Sequence, residues 1–114
     1  MSNCLFCRIA SGEIPSRVIY EDDHVFAFHD ISPQAPAHAV VIPKRHIDNL
    51  SAAHDSDVET LGQVLHACAR VAELLGLAKD GYRVTLNVGA DGGQTVDHLH
   101  AHVLGGRRLT WPPG

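Results

Sequence analysis

The sequence predicts a single domain that combines β-strands with one long α-helix. Near the N-terminus, two short β-branched and aromatic runs flank an acidic turn, as in a β-hairpin. In the middle of the chain, apolar residues repeat at the three- and four-residue spacing of a helix that packs one face on a core. Residues 82–88 then alternate as in a half-buried strand. The 114 residues suffice for one core, so we expect one domain over residues 1–114.

The predicted hairpin leads into a loop and a central strand. Its strands are Arg17–Tyr20 and His24–His29. Two prolines within residues 31–36 prevent regular structure there. The next run, His38–Ile42, is almost entirely apolar and stops at Pro43. This pattern predicts a strand that is covered on both faces at the centre of the sheet.

The long helix is predicted over Asp57–Leu75. Ser56 and Glu59 have the spacing of a capping box, in which a hydroxyl and a carboxylate bind backbone N–H groups at the helix start. Gly76 suits the left-handed conformation that often follows the last turn. The residues predicted to face the core are Leu61, Val64, Leu65, Cys68, Ala72 and Leu75.

Two further strands are predicted near the C-terminus. The alternation in Tyr82–Val88 places its apolar residues on the core face and Asn87 on the polar face. A glycine-rich turn over residues 89–95 separates this strand from His98–Leu104, which ends at two glycines.

Composition and charge exclude several classes of function. The formal net charge is -4 and no long Lys/Arg run is present, so we expect no binding of polymeric nucleic acid, which requires many phosphate contacts. No stretch approaches the ~20 apolar residues that span a bilayer. The N-terminus lacks the pattern of a secretory signal, so we expect a cytoplasmic protein without structural disulfides. Binding of a single nucleotide is compatible with this composition.

Three alternating histidines are the most informative pattern in the chain. His98, His100 and His102 fall on one face of the predicted strand, with Leu99 and Ala101 on the core side. Neighbouring imidazoles would stand about 6.6 Å apart and the outer two about 13 Å apart, so the three cannot contact one atom in the same way. We therefore expect separate roles, with His100 as a nucleophile toward phosphorus. A backbone carbonyl that accepts one ring N–H would fix its tautomer.

The glycine turn before these histidines strengthens the hypothesis. Residues 92–95 can present backbone amides and side-chain donors to a phosphate oxygen, and Asn87 can reach the same phosphate. Attack by His100 would form a nucleotidyl-histidine that water resolves. The alternative interpretation is a solvated strand face with three unrelated histidines, beside an ordinary turn and a surface asparagine.

Together these motifs resemble the histidine-triad (HIT) superfamily, and in particular its histidine triad nucleotide-binding protein (HINT) branch. The signature is the run His98–Leu104, which has the form His-x-His-x-His followed by apolar residues. Further similarity lies in Phe28–Pro36, Val41–Lys44, Asp91–Gln94 and Trp111–Gly114, so the resemblance covers nearly the whole chain.

The resemblance implies a fold and an activity. The fold would be α+β, a HIT fold with a five-stranded antiparallel sheet, one long helix and a short N-terminal helix, in a homodimer. The activity would be hydrolysis of purine nucleoside 5'-phosphoramidates of the AMP-amine type. One HIT domain would occupy residues 1–114.

The resemblance also implies roles for individual residues. His100 would be the nucleophile, supported by His38, His98 and His102. Asp30 would bind the ribose hydroxyls. The base would lie among Phe6, Ile9, Phe28, Ile31 and Val40, and the phosphate or leaving group would contact Asn87, Gly93, Gln94 and Thr95. Trp111 would line the partner subunit's site. The plainer alternatives are a turn cap for Asp30 and a core position for Trp111.

Cys4 and Cys7 form a C-x-x-C pair, which is typical of half a tetrahedral zinc site or of a redox pair. The resemblance implies His46 and His98 as the other two zinc ligands. Four protein ligands leave no open position, so the zinc would be structural and catalysis would require no cofactor. Two buried thiols are the alternative. Cys68 lies on the apolar stripe of the helix and is expected in the core.

Two other functions remain open from the sequence. A dinucleoside polyphosphate hydrolase or a nucleotidyl transferase would share the nucleophile and the intermediate, and would differ in the acceptor and the leaving group. A nucleotide- or zinc-binding interaction protein would use the same pocket without catalysis as its main role.

Overall fold

In the computed structural model, which describes residues 3–114, one antiparallel sheet of five strands packs against two helices. The first two positions of the predicted domain lie outside the described residues. Neither helix has the length and apolar character needed to cross a membrane, within residues 3–114. The elements are α1 (Leu5–Ala10), β1 (Val18–Glu21), β2 (Val25–His29), β3 (Ala37–Pro43), α2 (Val58–Leu74), β4 (Tyr82–Leu86) and β5 (Ala101–Gly105), with the strands in the order β1-β2-β3-β5-β4.

The predicted α+β architecture is confirmed, including the long helix and the short N-terminal helix. β1 and β2 form the expected hairpin, and β3 is the middle strand of the sheet. Six of its seven residues are buried because both faces of the sheet are covered at this point. Gly76 has a φ of 73°, the left-handed conformation expected after α2.

Two separate clusters of buried side chains cover the two faces of the sheet. The α2-side core joins two sets of residues. The first is Val25, Ala27, Ala39, Val41, Ala101 and Val103 of the sheet, with Leu99 just before β5; the second is Val64, Ala67, Cys68, Val71 and Ala72 of α2. The α1-side cluster consists of Phe6, Ile9, Phe26, Phe28, Val40 and Ile42. Alternation along β2 and β3 divides their residues between the clusters. The side chains of His38 and His102 fall on the α1 side, because they alternate with core residues.

The start of α2 differs from the prediction. The helix begins at Val58, no side chain caps its N-terminus, and the Ser56–Glu59 capping box is wrong. A short 3₁₀ turn over Asp55–Asp57 leads into the helix instead, and the Asp57 carboxylate accepts the His54 backbone N–H at 2.9 Å. That carboxylate is buried and also pairs with Arg45 at 3.1 Å.

The predicted core stripe of α2 is correct except at one position. Leu65 is 54% exposed, so it does not face the core. The sequence stripe also left out Ala67 and Val71, which are buried. The buried face is therefore rotated away from Leu65 and toward Ala67 and Val71.

The last strand begins later than predicted, so two of the three alternating histidines lie before it. β5 starts at Ala101, so His98, Leu99 and His100 precede the strand. The ladders to β3 and β4 both begin at Ala101. Upstream of that point, the Leu99 N–H donates to the carbonyl of Ile47 in a loop, at 2.6 Å. The segment continues in the direction of β5 but is held by this loop.

Two isoleucines provide a matched test of the burial pattern. Ile42 is fully buried in the α1-side cluster, whereas Ile31 is fully exposed. Replacing Ile42 with Ala should lower the free energy of unfolding by about 2–5 kcal/mol, since it removes buried methyl groups and leaves a cavity. Ile31→Ala should change it by less than about 0.5 kcal/mol. Urea denaturation measures both, and equal losses would contradict the assigned burial.

Candidate active site and metal centre

An apolar cavity of 540 Å³ lies between α1 and the β2–β3 part of the sheet. Its volume falls within the roughly 300–1,000 Å³ of small-molecule sites. All six residues predicted to bind the base and the ribose line it: Phe6, Ile9, Phe28, Asp30, Ile31 and Val40. Sequence reasoning missed the remaining walls, which include Leu5, Ile14, Pro15 and Arg17.

The short helix α1 places Phe6 between the cavity and the histidines. Cys4 precedes α1, and its Sγ accepts the Cys7 backbone N–H at 3.4 Å. The Phe6 ring packs edge-on against Phe28, with ring centroids 5.7 Å apart. It also meets His100 edge-on at 5.0 Å. One aromatic ring therefore separates the apolar cavity from the predicted nucleophile.

Hydrogen bonds fix the tautomers of two histidines in sequence. The backbone N–H of Gln34 donates to His38 Nδ1 at 3.0 Å, so this nitrogen carries a lone pair. The proton of neutral His38 is therefore on Nε2, which lies 2.8 Å from His102 Nδ1 and donates to it. His102 Nδ1 is thus an acceptor. The ring proton of His102 is on Nε2.

His100 has the opposite arrangement. Its Nδ1 lies 2.7 Å from the backbone carbonyl oxygen of His98. A carbonyl only accepts, so Nδ1 carries the proton and Nε2 holds the lone pair. This is the backbone contact expected from the sequence. The His100 and His102 rings are closer than strand spacing suggested, with centroids 5.0 Å apart, because one ring turns back to the chain and the other turns to His38.

Burial lowers the pKa of His102 to about 4. The neighbouring rings of His100 and His38 contribute to this lowering of the pKa, and the carboxylate of Asp30 opposes it. Burial is also the main cause of the lowered pKa of His98. His102 is therefore a neutral N–H donor at neutral pH.

Asp30 lies where the cavity meets the histidines. Its Oδ1 accepts the Ser32 N–H at 2.8 Å, which is the turn-capping contact considered from the sequence. Its Oδ2 lies 3.5 Å from His38 Nε2. Because His38 is neutral, this approach is not an ion pair. The carboxylate caps a turn and also lines the cavity.

The glycine turn is built around positions where only glycine fits. A Cβ on Gly92 would lie 2.3 Å from the Val88 carbonyl oxygen, and Gly93 has a φ of +76°. Asn87 Nδ2 donates to the Gly92 carbonyl at 2.6 Å, so one of its N–H groups stabilises the turn. The other N–H and the Oδ1 atom form no hydrogen bond described for residues 3–114.

Three other predicted contact residues have different surroundings. The carboxamide of Gln94 makes four hydrogen bonds to neighbouring loops, and its backbone N–H donates to the Gly89 carbonyl at 3.0 Å. None of its donors is left for a phosphate. Thr95 is exposed. Trp111 is 83% exposed, which excludes the core position considered for it, and it does not line the cavity beside Phe6.

A second cluster brings together the four predicted metal ligands. The ligand atoms of Cys4, Cys7, His46 and His98 all lie within 4.8 Å of one another. Three S···N distances run from 3.3 to 3.5 Å, and the two Nδ1 atoms are 3.1 Å apart. In a tetrahedral zinc site with bonds of about 2.3 Å to S and 2.0 Å to N, these distances would be about 3.5 and 3.3 Å. The cluster therefore has the size of a tetrahedral metal site.

The protonation of the two histidines fits a cation. His98 Nε2 donates to the Pro43 carbonyl at 2.8 Å, and His46 Nε2 donates to Asp48 Oδ1 at 2.7 Å. Both Nδ1 atoms then direct lone pairs toward each other at 3.1 Å, an arrangement that a shared cation stabilises. The residues present therefore fit a metal ion. A redox pair alone would not explain the two imidazoles.

Sequence reasoning missed two residues that orient these sites. Asp48 follows His46 by two positions, and an acid so close to a candidate ligand was a usable signal. The contribution of Gln34 comes from its backbone N–H. No pattern of side chains reveals such a contact, because any residue except proline supplies it.

Comparisons with known proteins agree with this fold. The family model described as HIT domain matches residues 11–109. A 14 kDa zinc-binding protein of Zea mays is 48% identical over 115 residues, which cover 99% of this chain and 89% of the maize protein. A HIT family hydrolase from Legionella pneumophila is 51% identical with a TM-score of 0.95, covering 98% of this chain and 100% of that chain. A histidine triad nucleotide-binding protein from Candida albicans is 36% identical with a TM-score of 0.80, covering 89% and 73%.

The pKa of His102 predicts a pH dependence of stability. Between 4 and the ordinary value of 6.5, the unfolded chain binds more protons at this residue than the folded chain does. Its contribution is therefore complete above pH 6.5 and is lost as the pH falls toward 4. His102→Gln should flatten this part of the stability curve, measured by chemical denaturation. His66→Gln, at an exposed α2 position, should keep the wild-type slope. Identical slopes for wild type and His102→Gln would contradict the assignment.

Proposed function

This chain belongs to the HIT domain family, and from this premise we propose that it is a hydrolase of purine nucleoside 5'-phosphoramidates. We place it in the HINT branch, with a covalent nucleotidyl-histidine intermediate. Its similarity to a HIT family hydrolase supports hydrolysis as the class of reaction. The observation that carries the proposal is the opposite tautomers of two neighbouring histidines. Nε2 of His100 has a lone pair, whereas Nε2 of His102 carries a proton.

In the first step, His100 Nε2 attacks the phosphorus of the bound nucleotide. A bond forms between Nε2 and phosphorus, and the bond from phosphorus to the amine breaks. The amine leaves with the bonding electron pair and takes the proton from His102 Nε2. Loss of this proton leaves a negative charge on His102. The N–H of His38, which donates to the other nitrogen of His102 at 2.8 Å, and the positive charge on the substituted His100 ring stabilise it.

In the second step, water resolves the intermediate. Its oxygen bonds to phosphorus, the bond from phosphorus to His100 breaks, and one water proton returns to His102. The free nucleotide and the original protonation states result. The His98 carbonyl keeps Nδ1 of His100 protonated throughout, so that Nε2 is the nitrogen that bonds to phosphorus.

The surroundings of these two rings support the proposed substrate class. The cavity beside Phe6 has the size and the apolar walls to hold a purine base. Asp30 would accept the ribose hydroxyls at its rim. The phosphate or the amine would contact Asn87, Gly93 and Thr95. Gln94 is left out of this set, because its donors are engaged elsewhere.

We further propose that Cys4, Cys7, His46 and His98 hold a structural zinc ion. The protein from maize named for zinc binding and the size of the cluster support this assignment. With four protein ligands, zinc would cross-link α1, the loop after β3 and the segment before β5. Thiolate ligands suit a reducing compartment, which supports a cytoplasmic location.

A homodimer completes the proposal. Val58, Leu65 and Leu74 expose apolar side chains along α2, and β4 is an edge strand of the sheet. Pairing of these surfaces between two copies would bury them. The exposed Trp111 would then be available to line the partner subunit's site.

His100→Ala tests the nucleophile. The variant should lose turnover of an AMP-amine conjugate by several orders of magnitude and keep nucleotide affinity, because only the bond to phosphorus is removed. In a rapid-quench experiment, wild type should gain the mass of one nucleotidyl group and His100→Ala should not. His24→Ala, at an exposed position, is the matched control with unchanged activity. Residual turnover above about a tenth of wild type would reject the assignment.

Faster turnover of diadenosine polyphosphate than of the AMP-amine conjugate by the wild-type protein would favour the alternative, a dinucleoside polyphosphate hydrolase.

Metal analysis tests the zinc assignment. Protein purified without an affinity tag should contain about one equivalent of zinc, and Cys4→Ser should lower it several-fold because a thiolate ligand is lost. Cys68→Ala should retain the zinc, since Cys68 lies in the α2-side core. Less than about a tenth of an equivalent in wild type, unchanged in Cys4→Ser, would reject the site.

A further inference from the structure

The segment that carries His98 and His100 is fastened to one loop. Leu99 N–H donates to the Ile47 carbonyl at 2.6 Å, and His98 Nε2 donates to the Pro43 carbonyl at 2.8 Å. The same loop carries His46, a member of the metal cluster. Loop 43–49 and segment 94–100 therefore lie side by side, with the metal cluster between them.

Gln94 joins the two at the end away from Ala101. Its Nε2 donates to the carbonyls of Asp48 at 2.8 Å and Val96 at 3.0 Å. Its Oε1 accepts the backbone N–H of Gly89 at 2.9 Å and Nδ2 of Asn49 at 3.3 Å. A carboxamide has two donors and two acceptor sites, so all four are used. The four partners belong to three pieces of chain: the metal loop, the glycine turn and the segment that carries the nucleophile.

We propose that Gln94 is a positioning residue that couples the metal site to the glycine turn and to His100. It holds the loop of His46 against the segment of His98, so the separation of these two ligands depends on it. Through Gly89 it also sets where the turn begins. The contacts of Gln94 to the two loops are observed, whereas the metal is the zinc ion of the proposed function and the effect on turnover rests on the proposed activity.

The chemistry of Gln94 makes the inference specific. Glutamate has the same shape, but it loses both donors and brings a carboxylate against the carbonyls of Asp48 and Val96. Alanine removes all four contacts without adding repulsion. The backbone N–H of residue 94, which donates to the Gly89 carbonyl, is present in every variant, so we expect closure of the turn itself to be retained. Differences among the variants therefore report the side chain.

The first measurement is zinc affinity, by competition with a chromogenic chelator. Gln94→Glu and Gln94→Ala should each bind zinc at least about tenfold more weakly than wild type, the usual effect of losing a residue that orients metal ligands. Gln63→Glu on α2 is the same substitution outside this set of hydrogen bonds and should leave the affinity unchanged. Wild-type affinity in both folded Gln94 variants would overturn the proposal.

The second measurement is hydrogen exchange at the Gly89 amide, which needs no nucleotide. In wild type, removal of zinc by a chelator should accelerate exchange of this amide. In Gln94→Ala, which removes the oxygen that accepts this amide, exchange should be fast with and without zinc. Glutamate keeps an accepting oxygen at this position, so this measurement uses Gln94→Ala alone. A wild-type rate that does not respond to zinc would overturn the coupling. If wild type binds no zinc, the zinc assignment fails. Equal protection of the Gly89 amide in wild type and Gln94→Ala would still reject the proposal that the Gln94 side chain holds the turn.

Turnover supplies the third measurement. If Gln94 positions His100, its variants should lower kcat several-fold with KM within about twofold of wild type, because the base and ribose contacts are untouched. An unchanged kcat together with weakened zinc binding would reject the positioning of His100. Absence of any turnover in wild type would instead reject the proposed function, and the zinc and exchange measurements would still decide the coupling.

Discussion

The buried His98 is the residue on which both sites depend. Its carbonyl accepts the N–H of His100, its Nε2 donates to the Pro43 carbonyl, and its Nδ1 faces the metal cluster. The residue is completely buried, and both of its ring nitrogens lie within contact distance of a polar atom. A displacement of its backbone would turn His100, whereas a displacement of its ring would disturb the metal ligands. The position of His100 and the geometry of the metal cluster are therefore one structural constraint.

The sheet separates stability from chemistry. Its α2 side is an apolar core, in which Cys68 is so well buried that its pKa rises to about 11. Its α1 side combines a smaller apolar cluster with His38, His98, His100 and the cavity. Burial removes water from these imidazoles, which costs free energy. Hydrogen bonds from their ring nitrogens to backbone groups offset this cost. The apolar core on one face supports a polar network on the other.

The sequence predicted the elements well because their patterns are local. Alternation and helical spacing are properties of neighbouring residues, so β3 and most of α2 could be placed from them. The start of β5 was missed because Leu99 bonds to Ile47, 52 positions earlier in the chain, instead of to a strand. The residues that the resemblance assigned to the base and to a metal do lie together, in the cavity and in the Cys/His cluster. It did not reveal that the Gln94 carboxamide already makes four hydrogen bonds, since a motif gives the residue type but not the contacts of its side chain.

The different roles proposed for the three histidines follow from what each ring's second nitrogen contacts. His98 gives Nε2 to a carbonyl and is left with Nδ1 for a metal. His100 gives Nδ1 to a carbonyl and is left with Nε2 for phosphorus. His102 accepts from His38 and is left with an N–H to donate. Strand alternation alone makes the three equivalent, and it is the surrounding loops that distinguish them. The chemistry of the motif is therefore set by the carbonyls of Pro43 and His98 and the amide of Gln34, which lie largely outside the motif itself.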